Sequence, residues 1–434
     1  MQTPPPTPAP AGFQSTFFYG WIILLGGFLI LVVDGGVRFS FGVLVKPLAA
    51  EFGWDRGAIT FAYTLNMFVF GFGQMMAGRM LDRYGPRLLF SVSALLASAG
   101  IFLTSRTNSI PELYFYYGVV TAVGVSGITI GVVSSTVSRW FLSLRGVIGG
   151  IAVTGTSFGH FAVIPALAYS QARFGWRGSW VGLGVLVSAV VVPVALTLMK
   201  KEPADMGLAP YKRGGAVAGE RHTLAPDLPP REAFLSRTFF FIVLAYGLCG
   251  FQDFFFVTQF IPFATDAGLT SQHASNIQGL AGLFSMAGVL AFPALTVKLG
   301  HGPPLSFMFL LRIVCFGLLA FSSAEPAIFT AALLMGFTLM ATAPLAAAMT
   351  GDYFGVRHIG LITGAILWMH HTGGALGALS GGLVHDATGS YGGMFLACLV
   401  MAFAGAAVCL GIRPPSQSSS AANSSRYFRH RPRN

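Results

Sequence analysis

Charged and titratable side chains are rare inside the long apolar stretches of this chain, and the few that occur there mark where chemistry can happen. Asp34 and Arg38 lie one helical turn apart in the first stretch, Gln252 and Asp253 share a later one, and His370 and His371 lie in another. An ionisable group in such a stretch is costly and points to function by default. Arg38 offers a fixed cation to an anion; the alternative is a guanidinium reaching out to the nearer interface on its long stem. Asp34 and Asp253 offer carboxylates for a proton or a gate. Histidine exchanges protons near neutral pH, its ordinary pKa being about 6.5, so His370 or His371 can hold a carboxylate or carry a coupled proton. Neighbouring helical side chains point about 100° apart, so one of the two is expected to face a central cavity. The alternative is a packed pair bonded to another helix, which is also the first reading of His160. Tyr117, Gln252 and Asn276 add polar groups to a possible lining, as do Tyr63, Asn66 and Gln278; helix-to-helix hydrogen bonds account for such groups equally well. Arg312 is assigned a structural role.

These residues need helices to hold them. Of the 434 residues, 54% are hydrophobic and 9% are charged, against about 25% charged in a soluble domain. Apolar runs near 20 residues recur along the chain, each long enough to cross a hydrocarbon core of about 30 Å. Helices satisfy their own backbone groups there, and the alternation of a membrane barrel is missing. The expectation is an all-α membrane protein of twelve spans, near 19–48, 58–80, 87–105, 111–137, 146–170 and 177–199, then 238–264, 274–297, 304–323, 326–349, 360–384 and 391–412. The domain reading is a disordered tail at 1–16, a six-helix half at 17–199, a cytoplasmic linker at 200–237, a second half at 238–412 and a disordered tail at 413–434. The proline-rich start lacks the basic segment of a signal peptide.

The two halves repeat. Lys46-Pro47 matches Ile261-Pro262, Gly53 matches Gly268, Arg83-Tyr84-Gly85 matches Lys298-Leu299-Gly300, and Phe174-Gly175 matches Gly389-Ser390, all at an offset of about 212–215 positions. The offset maps Asp253 onto Arg38 and suggests an Arg–Asp pair across a central cleft. Basic residues favour one side: Arg79, Arg83, Arg87, Arg139, Arg145, Lys298, Arg357, the linker and the tail, against Lys46, Arg56, Arg106, Arg173 and Arg177 on the other. Cytoplasmic loops carry that excess, so both termini are placed inside. Arg38 then falls in the outer part of its span and His370 near the midplane. The net charge of +11 lies in loops and tails, which argues against a nucleic-acid partner.

Cys249, Cys315, Cys398 and Cys409 fall inside apolar spans without metal or redox spacing and read as packing residues. There is no nucleophile elbow, zinc pattern or phosphate loop. The chain is read as a non-enzyme with no metal and no cofactor, and ATP hydrolysis is not expected of it. Gly146, Gly149, Gly150, Gly155 and Gly159, with Gly373, Gly374, Gly377 and Gly381, are expected to form the surface on which the halves rock.

The segment Gly78-Arg79-Met80-Leu81-Asp82-Arg83-Tyr84-Gly85-Pro86-Arg87 resembles the loop signature of the major facilitator superfamily. Tyr19-Gly20-Trp21, Arg38-Phe39-Ser40-Phe41-Gly42 and Arg139-Trp140-Phe141 through Arg145-Gly146 narrow the resemblance to the monocarboxylate porter family and its bacterial oxalate/formate antiporter relatives. The resemblance implies the major facilitator fold, a monomer, and a conformational gate made of Gly78, Asp82, Arg83, Gly85, Arg87, Arg139 and Arg145. It departs from the family in two places. Phe39 stands where the first-span basic residue is usual, and Gly288–Pro293 carries neither the Asp nor the Arg of many members.

The resulting expectation is a secondary transporter in a bacterial inner membrane. It moves a small organic anion, such as lactate or pyruvate, by alternating access and with proton coupling. The alternative is an exporter of a larger apolar drug-like or siderophore-like metabolite by proton antiport, for which the phenylalanine runs 239–241 and 254–256 would supply an aromatic lining unless they face lipid.

Overall fold

The computed structural model of the chain describes residues 18–141, 145–211, 227–355 and 357–414, without the side chains of Arg145 and Gly146. The expectations for the tail at 1–16, for the tail beyond 414, for the part of the linker at 212–226 and for the Arg145 side chain lie outside the described residues.

The first half contains α1 (Gly20–Phe39), α2 (Phe41–Phe52), α3 (Arg56–Thr104), α4 (Ile110–Leu113), a π-helical stretch Tyr114–Thr121, α5 (Ala122–Ser126), α6 (Ile130–Ser138) and α7 (Arg145–Thr197). After a short α8 (Pro230–Leu235), the second half contains α9 (Arg237–Asp266), α10 (Ser271–Leu299), α11 (Gly302–Phe321), α12 (Glu325–Leu339), α13 (Thr342–Phe354), α14 (Ile359–Thr388) and α15 (Gly392–Leu410). Among the described residues, nine helical stretches are long and apolar enough to cross a membrane.

Two of the nine are double. Gly85 interrupts α3 at φ 78° and Gly175 interrupts α7 at φ 68°, left-handed values that favour glycine. Contacts at the two faces show that the chain reverses at both. On one face Asp82 meets Arg139, and Arg87 Nε donates to the Met199 carbonyl. On the other, Arg177 pairs with Glu51 and donates to the Thr107 carbonyl. The stretches 56–84 and 87–104 therefore run in opposite directions, as do those on either side of Gly175. With α14 (30 residues) added, the described residues hold twelve helical stretches that can each cross once. Gly53 and Gly268, and Gly85 and Gly300, all have positive φ and stand in pairs 215 positions apart, so the repeat extends to the turns.

The glycines expected to form the rocking surface that have close neighbours find them within their own half, whereas Gly42, Gly279, Gly282 and Gly382 pack across the halves. A Cβ on Gly159 would lie 1.9 Å from the Val32 carbonyl oxygen, and one on Gly373 2.1 Å from that of Gly247. These contacts bring α1 against α7 and α9 against α14, two symmetry-related pairs with touching backbones. This corrects the expected rocking surface: Gly155, Gly159, Gly373 and Gly377 meet helices of their own half, and Gly149 and Gly150 have nothing within 4 Å. The halves meet instead through α7 against α10, α3 against α14 and α2 against α9.

Candidate functional site

The charged centre of the second half is an ion pair that the repeat did not predict. Arg312 on α11 donates from Nη2 to Asp253 Oδ1 at 2.6 Å. Its Nη1 donates to the Cys249 carbonyl and to Gln252 Oε1, and its Nε to Thr338 Oγ1. The other carboxylate oxygen, Oδ2, accepts from His370 Nε2 at 3.0 Å, with the Cys249 thiol 3.5 Å away. Gln252 is held at its other end by donating to the Cys398 carbonyl. Asp253 therefore pairs with Arg312 rather than with Arg38 across the cleft. A guanidinium at this depth needs a counter-charge, and α9 presents Asp253 one helix away.

Ligand atoms of Cys249, Asp253 and His370 lie within 4.8 Å of one another. The donor types suit a divalent transition metal, but Arg312 already neutralises the carboxylate, so the cluster is electrically closed without an ion. A void of about 10 Å³ beside Tyr246, Cys249, Met308 and Arg312 has room for roughly one water, far too little for an organic anion.

A second arrangement lies where the halves meet. The Arg38 guanidinium sits over the Phe70 ring, 4.8 Å from its centre, and the His371 ring lies 5.2 Å from the same ring. Phe70 is thus in contact with a cation from its own half and an imidazole from the other. Arg38 Nε and His371 Nε2 are both buried without a hydrogen-bond partner. His371 Nδ1 lies 2.6 Å from the Leu367 carbonyl and must carry the proton there, since a carbonyl only accepts. In the neutral ring Nε2 is then an unfilled acceptor aimed into the protein. Phe254 lies near both histidines and 6.1 Å from Tyr63, closing an aromatic wall.

One turn before Arg38, Asp34 is fully buried and neither carboxylate oxygen has a partner. His160 is equally buried and unpartnered, stacked on Phe39 at 4.4 Å.

Other expected ligands lie elsewhere. Tyr117 belongs to the interior of the first half, packed against Phe41 and Trp180, and its carbonyl, in the widened π-helical turn, accepts from Asn66 at 2.7 Å. Asn276 is exposed near the start of α10, where it accepts from Gln272. Gln252 is consumed by Arg312 and Cys398. The run Phe254–Phe256 is buried, not lipid-facing, whereas Phe240 is exposed.

A sequence profile of the Major Facilitator Superfamily matches residues 27–337. The chain is a member of that superfamily. It is a multi-pass membrane transporter and not an enzyme. It is 25% identical to the uncharacterized MFS-type transporter YcxA of Bacillus subtilis (strain 168) over 88% of this chain and 92% of that protein. It is 24% identical to monocarboxylate transporter 13 of Rattus norvegicus (90% and 88% covered) and 23% identical to the oxalate:formate antiporter of Oxalobacter formigenes (84% and 86%). Among solved structures, a D-xylose-proton symporter matches with a TM-score of 0.70 at 14% identity, covering 92% of this chain and 99% of that one. An inward-facing, occupied bacterial homologue of the lysosomal transporter Spinster matches with a TM-score of 0.67 at 15% identity, covering 95% and 97%.

In this transporter the signature loop is tied within the first half. Asp82 pairs with Arg139 at 2.5 Å although its side chain is 73% exposed. Its carbonyl accepts from Lys201, and Arg139 lies 3.9 Å from Glu202. Arg83 stacks on Tyr84, Gly85 makes the turn, and Gly78 has nothing within 4 Å. Among the described residues, the polar partners of Asp82 are Arg139 and Lys201. On the loop side, Gly149, Gly150, Gly360 and Gly364 also stand clear of any neighbour within 4 Å.

The opposite face is closed by a network absent from the expectations. Asp266, at the end of α9, takes Lys46 at 2.7 Å and Arg56 at 2.6 Å, both from the first half. Asp386 accepts from the backbone N–H groups of Arg56 and Gly57. The signal was present in the sequence: these are the few charged residues on the sparsely basic side.

Proposed function

We propose that the transporter carries a small carboxylate-bearing anion, coupled to protons, by alternating access of the two halves. The observation that carries this reading is Phe70 flanked by Arg38 from one half and His371 from the other, each with an unpartnered nitrogen. A carboxylate entering there would accept from Arg38 Nε and, once His371 is protonated, from its Nε2. The proton would thus create the second donor, so that anion and proton favour each other's binding. Asp34 offers a further proton position one turn away. A lone buried carboxylate is costly, and protonation removes that cost. Asp253 and His370 instead act as a charge-balanced support behind the site.

The names of the monocarboxylate and oxalate:formate relatives support the substrate class. The basic excess on the loop side supports a cytoplasmic loop face and termini in a bacterial inner membrane, and the ion pairs that tie the halves at the other face fit a transporter shut to the outside. In this reading, residues 17–199 and 238–412 move as units joined by 200–237. The aromatic wall of Phe70, Phe254 and Tyr63 favours, as a second reading, export of a larger apolar metabolite.

Uptake of labelled lactate, pyruvate and oxalate into proteoliposomes, with and without an inward proton gradient, separates the two. Gradient-dependent accumulation of any of them supports the anion porter. No uptake by folded protein overturns it in favour of the exporter.

A further inference from the structure

The network on the closed face contains an arrangement that the transport reading does not use. Asp266 carries one carboxylate and places it on two cations at once. Lys46 Nζ lies 2.7 Å from Oδ1, while the Arg56 fork reaches Oδ2 at 2.6 Å and Oδ1 at 3.1 Å. Arg56 also donates to the Tyr391 hydroxyl at 2.8 Å, and its backbone N–H and that of Gly57 donate to Asp386. His385 Nε2 lies 3.6 Å from Asp266 Oδ2. Lys46, Arg56 and Gly57 belong to the first half; Asp266, His385, Asp386 and Tyr391 belong to the second. Other acids of the first half on this face do not compensate. Glu51 is committed to Arg177 and to the Trp176 indole N–H, Glu112 accepts from the Asn108 backbone, and Asp55 is exposed and forms no ion pair among the described residues.

Alternating access must part these groups. When the halves separate at this face, Asp266 and Asp386 leave with the second half. Lys46 and Arg56 then remain on the first half without their counter-ions, with two backbone N–H groups at the start of α3 beside them. Their spacing is already matched to one carboxylate, because Asp266 occupies it in the closed state. A fork-shaped guanidinium beside an ammonium is a strong carboxylate receptor.

We propose that Lys46 and Arg56 form an entry site for the carboxylate of the substrate, which Asp266 occupies whenever this face is shut. The inference rests on the anion reading above. The substrate carboxylate competes with Asp266, so an anion arriving at this face favours the open state, and its departure towards the centre lets Asp266 close the face behind it. One pair of cations serves as lock and as receptor in alternation.

The test uses the full-length transporter in proteoliposomes, with lactate, pyruvate and oxalate presented at this face. Lys46→Gln removes a partly exposed cation and leaves the Arg56–Asp266 pair intact. It is expected to raise KM by roughly tenfold, the weight of one charge-assisted contact, with kcat within about twofold, and high salt should shrink the difference. Arg56→Lys, which keeps the charge and loses the fork, should raise KM as well. A cysteine at buried Thr60 reports opening through its reaction with an impermeant maleimide. Asp266→Asn should speed that reaction several-fold without substrate, and oxalate should speed it in the parent but not in the Lys46→Gln, Arg56→Lys double variant. An unchanged KM in both cation variants, with faster labelling in Asp266→Asn, overturns the entry site and leaves a lock alone. Unchanged labelling in Asp266→Asn overturns the lock as well. If the parent transports none of the three anions while Asp266→Asn still speeds labelling, the anion reading itself has failed and the entry site falls with it.

Discussion

Arg312 and Asp253 meet at 2.6 Å inside the second half, with 1% and 2% of their side chains exposed. Each is the other's counter-charge, and removing one strands the other where water cannot reach. Arg312→Gln is expected to destabilise the protein by about 3–5 kcal/mol, read as a lowered unfolding midpoint in detergent. The double variant Asp253→Asn, Arg312→Gln should recover much of the loss, because no lone charge remains. A double variant as unstable as Arg312→Gln alone would refute this account.

The two histidines should separate by phenotype. His371→Gln is expected to abolish gradient-driven accumulation of the transported anion while leaving counterflow exchange within a few-fold of the parent. His370→Gln removes the donor to Asp253 Oδ2 and should show first as lost stability, about 1–3 kcal/mol. Paired measurements of uptake, counterflow and thermal unfolding check both. Unimpaired gradient-driven uptake by His371→Gln would remove it from coupling.

Ser285 donates to Ser157 at 2.6 Å, joining α10 to α7 across the halves. With the two hydroxyl oxygens 2.6 Å apart, cysteines at these positions would bring their sulfurs close together. Oxidation of Ser157→Cys, Ser285→Cys should cross-link the protein and stop transport, and reductant should restore it. A cross-linked protein that still transports would show that this interface does not move.

Gly159 and Gly373 lie at backbone contacts within the two halves. Gly159→Val and Gly373→Val are expected to lose most of the folded protein, since even a Cβ would approach a carbonyl oxygen to 1.9 and 2.1 Å respectively. Gly364→Ala, with nothing within 4 Å, is the matched control and should fold normally. Size-exclusion profiles of the three variants make the comparison.

Asp82 touches no group of the central site. Asp82→Asn should therefore lower the maximal transport rate several-fold while KM stays within about twofold. A large change in KM would place the loop's influence at the substrate instead.

Much of the architecture was legible because hydropathy and turn glycines act locally. Apolar runs marked the spans, and Gly53, Gly85, Gly175 and Gly300 all have the positive φ that their turns demand. The repeat told less about contacts. It paired Asp253 with Arg38, yet symmetry relates positions without bringing them together, and Asp253 satisfied the nearer charge, Arg312. Elimination would have found that partner, since Asp253 is the one acid of the second half deep inside an apolar span. The division of labour between His370 and His371 was not readable, because it depends on the rotation of α14. That rotation is set by Gly250, where an added Cβ would lie 1.9 Å from the His370 carbonyl oxygen.

Phe70 touches Arg38 of one half and His371 of the other. Neither half contains this site; it is assembled at their seam. If the proposed anion binds there, its affinity is a gauge of how far apart the halves stand, and a ligand that fits this seam tightly would arrest the cycle rather than ride it.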